Sequence, residues 1–372
     1  MKIKWLFSLL GLVVIVSLVL VGCAPKPVAP PTAPPAPEVI KWRMGSTWTP
    51  AINLIESDRY FVKKINEMSG GRLVITHYPA GEIVPAFELF DAVSKGTLEA
   101  GCDWPSYWAG KNSAFDLLGS FGFGFTPGDY FIWVYQGGGL ELMRELFARY
   151  NIHYVPISMT PTESGFRTNK PIRTLDDFKG LTLRAPLTQT MWVLEQLGAK
   201  PVKISGGEIY MALKLGTVDG AEFCSPGVDW GMKFQEVTKY WCLPGWHQPS
   251  SLLGCMINMD AWKKLPPDLQ AIIEEAGKAS VLWSYAFYEW DSIAAVKNFE
   301  DVGTIVTYLD EPAIRKIEEL SMKFAEIEAA KNPDYAKVLN SMMSYLKSFE
   351  KVRKVEGIFG FGRNPTKYPE VK

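Results

Sequence analysis

The sequence contains few of the residues on which metal-dependent and nucleophilic enzymes rely. It has three histidines, at positions 77, 153 and 247, and none belongs to a His-Glu-x-x-His pair that would place two metal ligands on one helix face. It also lacks the Gly-x-Ser-x-Gly turn of serine hydrolases, a phosphate-binding loop ending in Gly-Lys-Ser or Gly-Lys-Thr, and the dinucleotide-binding pattern Gly-x-Gly-x-x-Gly. These absences argue against the common hydrolase, nucleotide-binding and dehydrogenase classes, and we expect no organic cofactor.

The chain has no charge excess and few cysteines. Its 39 basic and 40 acidic side chains leave no positive surplus for a phosphate backbone, which argues against nucleic acid as a partner. Beyond Cys23, the cysteines are widely spaced and form no Cys-x-x-Cys pair typical of zinc or redox sites. The sequence leaves open whether they pair as disulfides or remain buried thiols. These four residues are Cys102, Cys224, Cys242 and Cys255.

The first residues carry the pattern of an export signal. Lys2 and Lys4 precede an apolar run over residues 5–21. The run ends in Leu20-Val21-Gly22-Cys23, which resembles a bacterial lipoprotein box and nominates Cys23 as a lipidated N-terminus. The alternative is an uncleaved transmembrane anchor, because the run is only slightly shorter than the ~20 residues that span a bilayer. Both interpretations predict an extracytoplasmic protein tethered to the membrane, in the periplasm or at the cell surface.

A proline-rich stretch follows this signal. Residues 24–37 alternate proline with alanine, valine and lysine, a composition that stays extended and buries no core. We therefore predict a lipoprotein signal peptide over residues 1–22 and a lipidated cysteine with a proline-rich tether over 23–38. The remainder, from residue 39 onward, is long enough for two domains.

Hydrophobic periodicity predicts two α/β units in series. Strand and helix patterns alternate over residues 41–102 and again over 152–223, where the last strand is expected over 218–223. This alternation favours parallel or mixed sheets flanked by helices. The last third is mostly helical, and one helical pattern runs from Pro266 to about Phe299. A helix of that length is expected to span both units. The chain is thus predicted to be an α/β protein with two similar lobes around a cleft.

Three long segments resemble the solute receptors of tripartite ATP-independent periplasmic (TRAP) transporters. They are residues 172–186, which carry the signature arginine as Arg184, residues 206–222, and residues 258–266. Shorter pieces at 79–85 and 91–99 extend the likeness over nearly the whole mature chain.

This resemblance implies a two-lobed fold like that of periplasmic binding proteins, with two mixed sheets. Crossover hinge strands are expected near residues 157–161 and 245–250, and the long helix should span both lobes. The implied lobe I is 39–160 plus 248–290, and lobe II is 161–247 plus 291–372. Closure of the lobes around a ligand would be the functional event.

Within that family, residues 107–108, 137–139 and 243–246 are most similar to the branch that binds 2-oxo acids such as pyruvate or 2-hydroxy acids such as lactate. The resemblance implies that Arg184 meets the ligand carboxylate. It also implies that a cation such as Na+ or Ca2+ bridges ligand and protein, held by an amide, two carboxylates and a backbone carbonyl.

Residue by residue, the resemblance nominates a set of cation ligands. Glu222 matches one carboxylate, and Phe223 matches the position that offers its backbone carbonyl. Glu163 stands where the amide is expected and Gln248 where the second carboxylate is expected, so the two residues would have exchanged roles without changing the charge. Hard cations tolerate such an exchange, because they need several oxygen ligands rather than one particular arrangement. The alternative is that Glu163 is a solvated loop residue and no metal binds.

The expected ligand contacts also have structural alternatives. The guanidinium of Arg184 offers a planar fork to a carboxylate, but most arginines form surface salt bridges. Trp48, Tyr107 and Trp108 are candidates for packing on the carbon skeleton of the ligand, although aromatic residues are also common in cores. A dicarboxylate would need a second positively charged side chain for its second carboxylate, and Arg167 is the candidate for that role.

The resemblance implies a receptor rather than an enzyme. Its partners would be a small organic acid anion and two integral membrane subunits, one small and one large, that use an ion gradient instead of ATP. The alternatives are a C4-dicarboxylate or other carboxylate receptor without metal, an extracytoplasmic enzyme acting on small acids, and a binding protein that serves an ABC transporter or a sensor kinase.

Overall fold

The structure is a computed structural model that describes residues 39–357. The predicted signal peptide, Cys23 and the tether over 23–38 lie outside the described residues, as do residues 358–372. The strands are β1 (Ile40–Ser46), β2 (Leu73–Tyr78), β3 (Ala100–Asp103), β4 (Ile152–Met159), β5 (Phe166–Thr168), β6 (Thr182–Arg184), β7 (Lys200–Val202), β8 (Gly220–Ala221), β9 (Tyr240–Leu243), β10 (Leu252–Asn258) and β11 (Ile305–Tyr308). The helices are α1 (Ile55–Met68), α2 (Leu89–Ser94), α3 (Ala114–Gly119), α4 (Pro127–Gln136), α5 (Gly139–Ala148), α6 (Thr188–Gln196), α7 (Ile209–Lys214), α8 (Pro226–Gly231), α9 (Phe234–Val237), α10 (Met259–Lys263), α11 (Pro267–Asp301), α12 (Glu311–Lys331) and α13 (Pro333–Glu356).

The first sheet has the strand order β2-β1-β3-β10-β4 and is mixed. β1 runs parallel to β2 and β3, whereas β10 runs antiparallel to β3 and β4. Trp42 and Met44, two residues apart in β1, share one face of the sheet and pack with Phe61 and Ile65 of α1. Burial of these apolar side chains fixes α1 against the sheet.

The second sheet has the order β11-β9-β5-β8-β6-β7 and is also mixed. β6 runs parallel to β7 and β8, and β5 runs antiparallel to β8 and β9. Leu183 of β6 packs with Val193 and Leu194 of α6 in a second core. The predicted α/β class with two mixed sheets is therefore confirmed.

Two connecting segments join the sheets and lie side by side. Residues 160–165 link β4 to β5, and residues 244–251 link β9 to β10. The Thr160 backbone N–H donates to the Ser251 carbonyl at 2.9 Å, and the Glu163 N–H donates to the Gln248 carbonyl at 3.1 Å. Gly245 permits this approach, because a Cβ there would lie 1.9 Å from the Glu163 carbonyl oxygen.

These segments largely match the predicted crossovers at 157–161 and 245–250. The first starts later than predicted because residues 157–159 complete β4, where Met159 pairs with Leu252 of β10.

The long helix α11 is 35 residues long and contacts elements of both sheets. It packs on β4 of the first sheet and on α1, which covers that sheet. It also packs on α8, which follows β8 of the second sheet. The predicted helix across both units is confirmed. The last helix, α13, packs against α3, α4 and α5, which lie between β3 and β4. The predicted division into lobes had placed residues 291–372 with the second sheet. That division stays a prediction, although α13 packs on helices that lie between two strands of the first sheet.

Two further features differ from the sequence-based expectations. The pattern over 104–148 did not predict α3, α4 or α5, although Thr126 and Asp129 form a capping box at the start of α4. The strand expected over 218–223 is shorter, because ladder pairing is confined to Gly220 and Ala221.

The described cysteines are buried free thiols, the alternative to disulfides that the sequence had left open. Within residues 39–357, no helix combines the length and the apolar character needed to cross a bilayer.

Candidate ligand and cation site

A cavity lies where the end of β6 meets the two connecting segments. It is lined by Trp48, Leu54, Trp104, Tyr107, Thr160, Glu163, Arg184, Pro186, Phe223, Cys224, Gln248, Ser251 and Leu253. The structure thus brings together six of the predicted ligand-binding residues, namely Trp48, Tyr107, Glu163, Arg184, Phe223 and Gln248. Glu222, the seventh, is bonded directly to Arg184.

Arg184 is the last residue of β6 and is 1% exposed. Its Nη1 donates to the backbone carbonyl of Glu222 at 2.7 Å and to Glu222 Oε1 at 3.0 Å, and its Nε donates to the Ile204 carbonyl at 3.1 Å. Its Nη2 is buried without a partner. The surface salt bridge considered for this arginine is therefore wrong. A buried donor without an acceptor costs about 1–3 kcal/mol, which a ligand carboxylate would recover.

Aromatic rings form an apolar wall beside Arg184. Trp48 lies 5.9 Å from Tyr107 and 6.5 Å from Phe223, measured between ring centroids, and the Arg184 guanidinium lies 5.3 Å from the centre of the Phe223 ring. Burial raises the pKa of Tyr107 to about 12, although the charge of Arg184 opposes that rise. The Tyr107 phenol therefore stays neutral and can act as a hydrogen-bond donor at physiological pH.

Two glutamates and a histidine form a buried cluster at the cavity. Glu163 comes from the first connecting segment, His247 from the second, and Glu222 from the end of β8. His247 Nε2 lies 2.8 Å from Glu163 Oε2 and 3.6 Å from Glu222 Oε2. Glu163 is 4% exposed, so the solvated-loop alternative for this residue is wrong.

The protonation of this cluster is set by burial and by the charges within it. Burial and the Glu222 carboxylate raise the pKa of Glu163 well above its ordinary value, against the opposing effect of His247. Burial also acts to raise the pKa of Glu222, but Arg184 and His247 outweigh it and the pKa of Glu222 is lowered. Burial lowers the pKa of His247, whereas its hydrogen bond to Glu163 and the nearby charge of Glu222 raise it, to about 9. Protons on Glu163 and His247 are thus held tightly, as expected where two carboxylates share a buried space.

The oxygen atoms of this region suit a cation. Gln248 donates through Nε2 to Ser251 Oγ at 2.9 Å, which leaves its Oε1 buried without a partner. Glu222 Oε2 is likewise buried without a hydrogen-bond partner. Two carboxylates and an amide oxygen are ligands that Na+ and Ca2+ accept. The residues present therefore fit the predicted cation.

Trp108 and Arg167 do not line this cavity. The Trp108 indole N–H donates to Asp103, and the ring packs on Phe90 at 5.2 Å. Arg167 is 0% exposed, and its Nε donates to Asp229 Oδ2 at 3.1 Å. Its guanidinium is also held between two aromatic rings. The structure thus does not bring either side chain to the cavity, because each is engaged elsewhere.

Several cavity residues were missed by the sequence-based reasoning. Trp104, Thr160 and Ser251 line the cavity, and His247 completes the acidic cluster. A usable signal was present for His247, which directly precedes the nominated Gln248. The helical His-Glu-x-x-His pattern cannot detect a metal ligand that is a single histidine.

The sequence of residues 44–330 matches the family described as bacterial extracellular solute-binding protein, family 7, also called DctP. The chain is also similar to a monocarboxylate 2-oxoacid-binding periplasmic protein of Nostoc sp. The two are 29% identical over 308 residues, which cover 83% of this chain and 84% of the relative.

Two solved structures share both sequence and fold with this chain. One is a TRAP transporter solute-binding protein of Bordetella bronchiseptica, a mixed-occupancy dimer with copurified calcium and picolinate in one active site and an apo second site. It is 29% identical, with a TM-score of 0.83 over 86% of this chain and 95% of that chain. The other is a TRAP periplasmic solute-binding protein of Pseudoalteromonas atlantica with bound sodium and pyruvate. It is 30% identical, with a TM-score of 0.81 over 86% of this chain and 97% of that chain. This chain therefore belongs to the family 7 extracellular solute-binding proteins and is an extracytoplasmic solute receptor of the TRAP class.

Proposed function

We propose that this receptor binds a small 2-oxo monocarboxylate, such as pyruvate, together with a cation, and delivers it to membrane subunits. The observation that carries the proposal is the unpartnered Nη2 of Arg184, a buried donor on a cavity residue. A carboxylate is the acceptor that suits a guanidinium best, because two parallel N–H···O bonds can form. The related Nostoc protein, named for 2-oxo acids, and the pyruvate-bound Pseudoalteromonas protein support this ligand class.

The charges around the cavity favour a ligand with one carboxylate. Arg184 is the sole arginine or lysine among the described residues that line the cavity. Arg167, which the sequence had nominated for a second carboxylate, is paired with Asp229 and sandwiched between Trp241 and Phe299 at 3.8 and 3.9 Å. A dicarboxylate would bring a second buried charge without a guanidinium to meet it.

The cation would be held by Glu163, Glu222, Gln248 and the backbone carbonyl of Phe223. When bound, it would supply a positive charge that the ligand oxygens can coordinate. The protein's own part is to orient the ligand: Arg184 binds the carboxylate, and the rings of Trp48, Tyr107 and Phe223 pack on the carbon skeleton. The apolar wall also excludes water, which strengthens the charged interactions.

Ligand binding would act by favouring the closed state of the receptor. Lys203, which follows β7 of the second sheet, donates through Nζ to the Tyr107 carbonyl at 2.9 Å, and Tyr107 follows β3 of the first sheet. A ligand that contacts both Arg184 and Tyr107 would further stabilise the state in which this hydrogen bond forms across the cleft. Only the closed state would dock productively on the small and large membrane subunits. Lipid attachment at Cys23 would keep the receptor near these subunits. In this proposal the protein acts as a receptor and does not convert its ligand.

Calorimetric titration tests this proposal directly. Protein in sodium-free buffer is titrated with pyruvate, lactate and succinate, first with EDTA and then with Ca2+ or Na+ added back. We expect one-to-one binding of pyruvate that requires an added cation and exceeds succinate binding at least ~10-fold, because one carboxylate has no guanidinium partner.

A pair of arginine variants supplies the control for this titration. We expect Arg184→Ala to lose pyruvate binding by 100-fold or more, given that a broken buried charge pair costs about 2–5 kcal/mol. Arg315→Ala, which removes an exposed arginine on α12, should bind as the parent does. Preferential binding of succinate, or parent-like affinity in Arg184→Ala, would contradict the proposal.

A further inference from the structure

His247 places a nitrogen donor inside a group of oxygen donors. Its Nε2 lies 2.8 Å from Glu163 Oε2 and 3.6 Å from Glu222 Oε2, and one ligand atom from each of the three side chains lies within 4.8 Å of the others. The exposed fractions are 4% for Glu163, 1% for Glu222 and 0% for His247. Three metal-ligating groups therefore converge in a space shielded from solvent.

Unpartnered atoms beside this group point to an absent positive partner. Glu222 Oε2 and Gln248 Oε1 are both acceptors, both buried, and neither has a hydrogen-bond donor. Gln248 is also the next residue after His247 in the chain. A buried acceptor left without a partner is costly, and a metal ion is a partner that could take both oxygens at once.

We propose that His247 is itself a ligand of the bound cation, and that its imidazole makes this receptor select a first-row transition metal ion such as Zn2+ over Ca2+ and Na+. The inference rests on the proposed function, because it concerns the cation that accompanies the 2-oxo acid. Calcium takes oxygen ligands almost entirely, whereas imidazole suits zinc and its neighbours in the first transition row. A set of two carboxylates, an amide oxygen and an imidazole is therefore better matched to Zn2+ or Co2+.

The charge of the site supports a divalent ion. With a neutral imidazole, the protein contributes two carboxylates and one guanidinium, and a bound monocarboxylate adds another negative charge. A divalent cation balances these charges, whereas Na+ leaves one negative charge uncompensated in a buried space. Coordination uses the lone pair of His247 Nε2 and an ionised Glu163 carboxylate, so the protons held on both groups must leave to solvent when the ion enters.

The first test of this proposal measures which metal ion the receptor binds most tightly. The full chain, produced without a polyhistidine tag and stripped of metal, is equilibrated with Zn2+, Co2+ or Ca2+ in the presence of pyruvate, and the bound ion is quantified by mass spectrometry. We expect Zn2+ to bind at least ~10-fold more tightly than Ca2+. The His247→Gln variant should lower this zinc-to-calcium ratio by roughly 10-fold or more, because mutation even of the outer-shell partners of metal ligands costs about 10- to 100-fold in metal affinity. His153→Gln is the matched control, because His153 stacks on Trp262 and pairs with Glu274 away from the site.

Direct ligation has a spectroscopic signature that a merely structural role would not produce. Cu2+ bound in place of Zn2+ is examined by pulsed electron paramagnetic resonance, in which a coordinated imidazole gives a characteristic nitrogen modulation. We expect that signal in the parent and in His153→Gln, and its loss in His247→Gln.

The outcomes separate this inference from the proposed function. Pyruvate binding that depends on Ca2+ or Na+, with the same zinc-to-calcium ratio in parent and His247→Gln, overturns the inference and leaves the proposed function intact. Pyruvate binding with no metal bound also overturns it, and would mean that the His247 imidazolium itself supplies the positive charge. If pyruvate binds under none of these conditions, the proposed function fails.

Discussion

Arg167 and Arg184 occupy equivalent places in the second sheet but have different surroundings. Each pairs with Ala221 of β8, Arg167 from β5 on one side and Arg184 from β6 on the other. Both are buried, at 0% and 1% exposure. Each keeps one buried nitrogen without a partner, Nη1 in Arg167 and Nη2 in Arg184. Arg167 has an aspartate of its own and two aromatic rings around its guanidinium, whereas Arg184 lines a cavity.

The comparison shows that burial and charge do not by themselves identify a ligand-binding arginine. Asp229 gives Arg167 a fixed internal counterion, so its charge serves the fold. Glu222 bonds to Arg184 on one side only, through Nη1. The distinguishing feature is thus the location of the unused donor, because Arg184 lines the cavity and Arg167 does not.

The largest effect that would sharpen this comparison is on stability. Arg167→Ala strands Asp229 as a buried carboxylate without its partner, and we expect the free energy of unfolding at pH 7 to fall by about 3–5 kcal/mol. Urea denaturation followed by tryptophan fluorescence measures the change. The fraction that remains folded should bind pyruvate with the affinity of the parent. A loss of affinity in folded Arg167→Ala would mean that the two arginines do not have separate roles.

Much of this fold was predictable because its elements have clear periodic patterns. The strands and helices of both α/β units follow from alternating and helical hydrophobic spacing, and α11 follows from its length. The region containing α3, α4 and α5 was not predicted. Its residues 104–148 mix aromatic residues with glycines, and the short helices there pack against α13, a contact distant in sequence.

Of the two neighbouring aromatic residues nominated for the site, Tyr107 lines the cavity and Trp108 does not, and the reason is geometrical. Tyr107 and Trp108 are neighbours in a 3-10 turn, Pro105–Trp108, where successive side chains point about 120° apart. Tyr107 therefore reaches the cavity while Trp108 enters the core. Trp104, three residues before Tyr107, lies on the same side of the turn and contacts its ring at 5.2 Å. No sequence pattern predicts which side of such a short turn will face a ligand.

A second prediction concerns the pH dependence of the Arg167 ion pair. Burial raises the pKa of Asp229 to about 6 from an ordinary value of 3.8, even though Arg167 opposes the rise. A carboxyl with a raised pKa in the folded state contributes stability that is fully present below its unfolded pKa and is lost as the pH rises through about 6. Relative to Asp229→Asn, the parent should therefore lose up to about 3 kcal/mol of unfolding free energy between pH 3 and pH 7.

Denaturation of both proteins at several pH values checks this prediction. Asp334→Asn is a useful control, because Asp334 is a half-buried carboxyl whose pKa is lowered, by its bonds to Asn112 and Arg149 against the effect of burial. Relative to Asp334→Asn, the parent should gain stability over the same pH rise. A rise in the Asp229 comparison would show that the ion pair outweighs its burial.

The smallest expected effect tests whether Arg184 acts through its charge alone or through its forked geometry. Arg184→Lys keeps the positive charge but offers a single ammonium group, which cannot bond the Glu222 carbonyl, the Ile204 carbonyl and a ligand carboxylate in the same plane. We expect pyruvate to bind about 10- to 100-fold more weakly than to the parent, or roughly 1.4–2.8 kcal/mol, and less weakly than to Arg184→Ala. Calorimetry under the cation conditions of the parent gives the values. Parent-like affinity in Arg184→Lys would mean that the site needs only a positive charge, and that the forked geometry of the guanidinium plays no part in ligand binding.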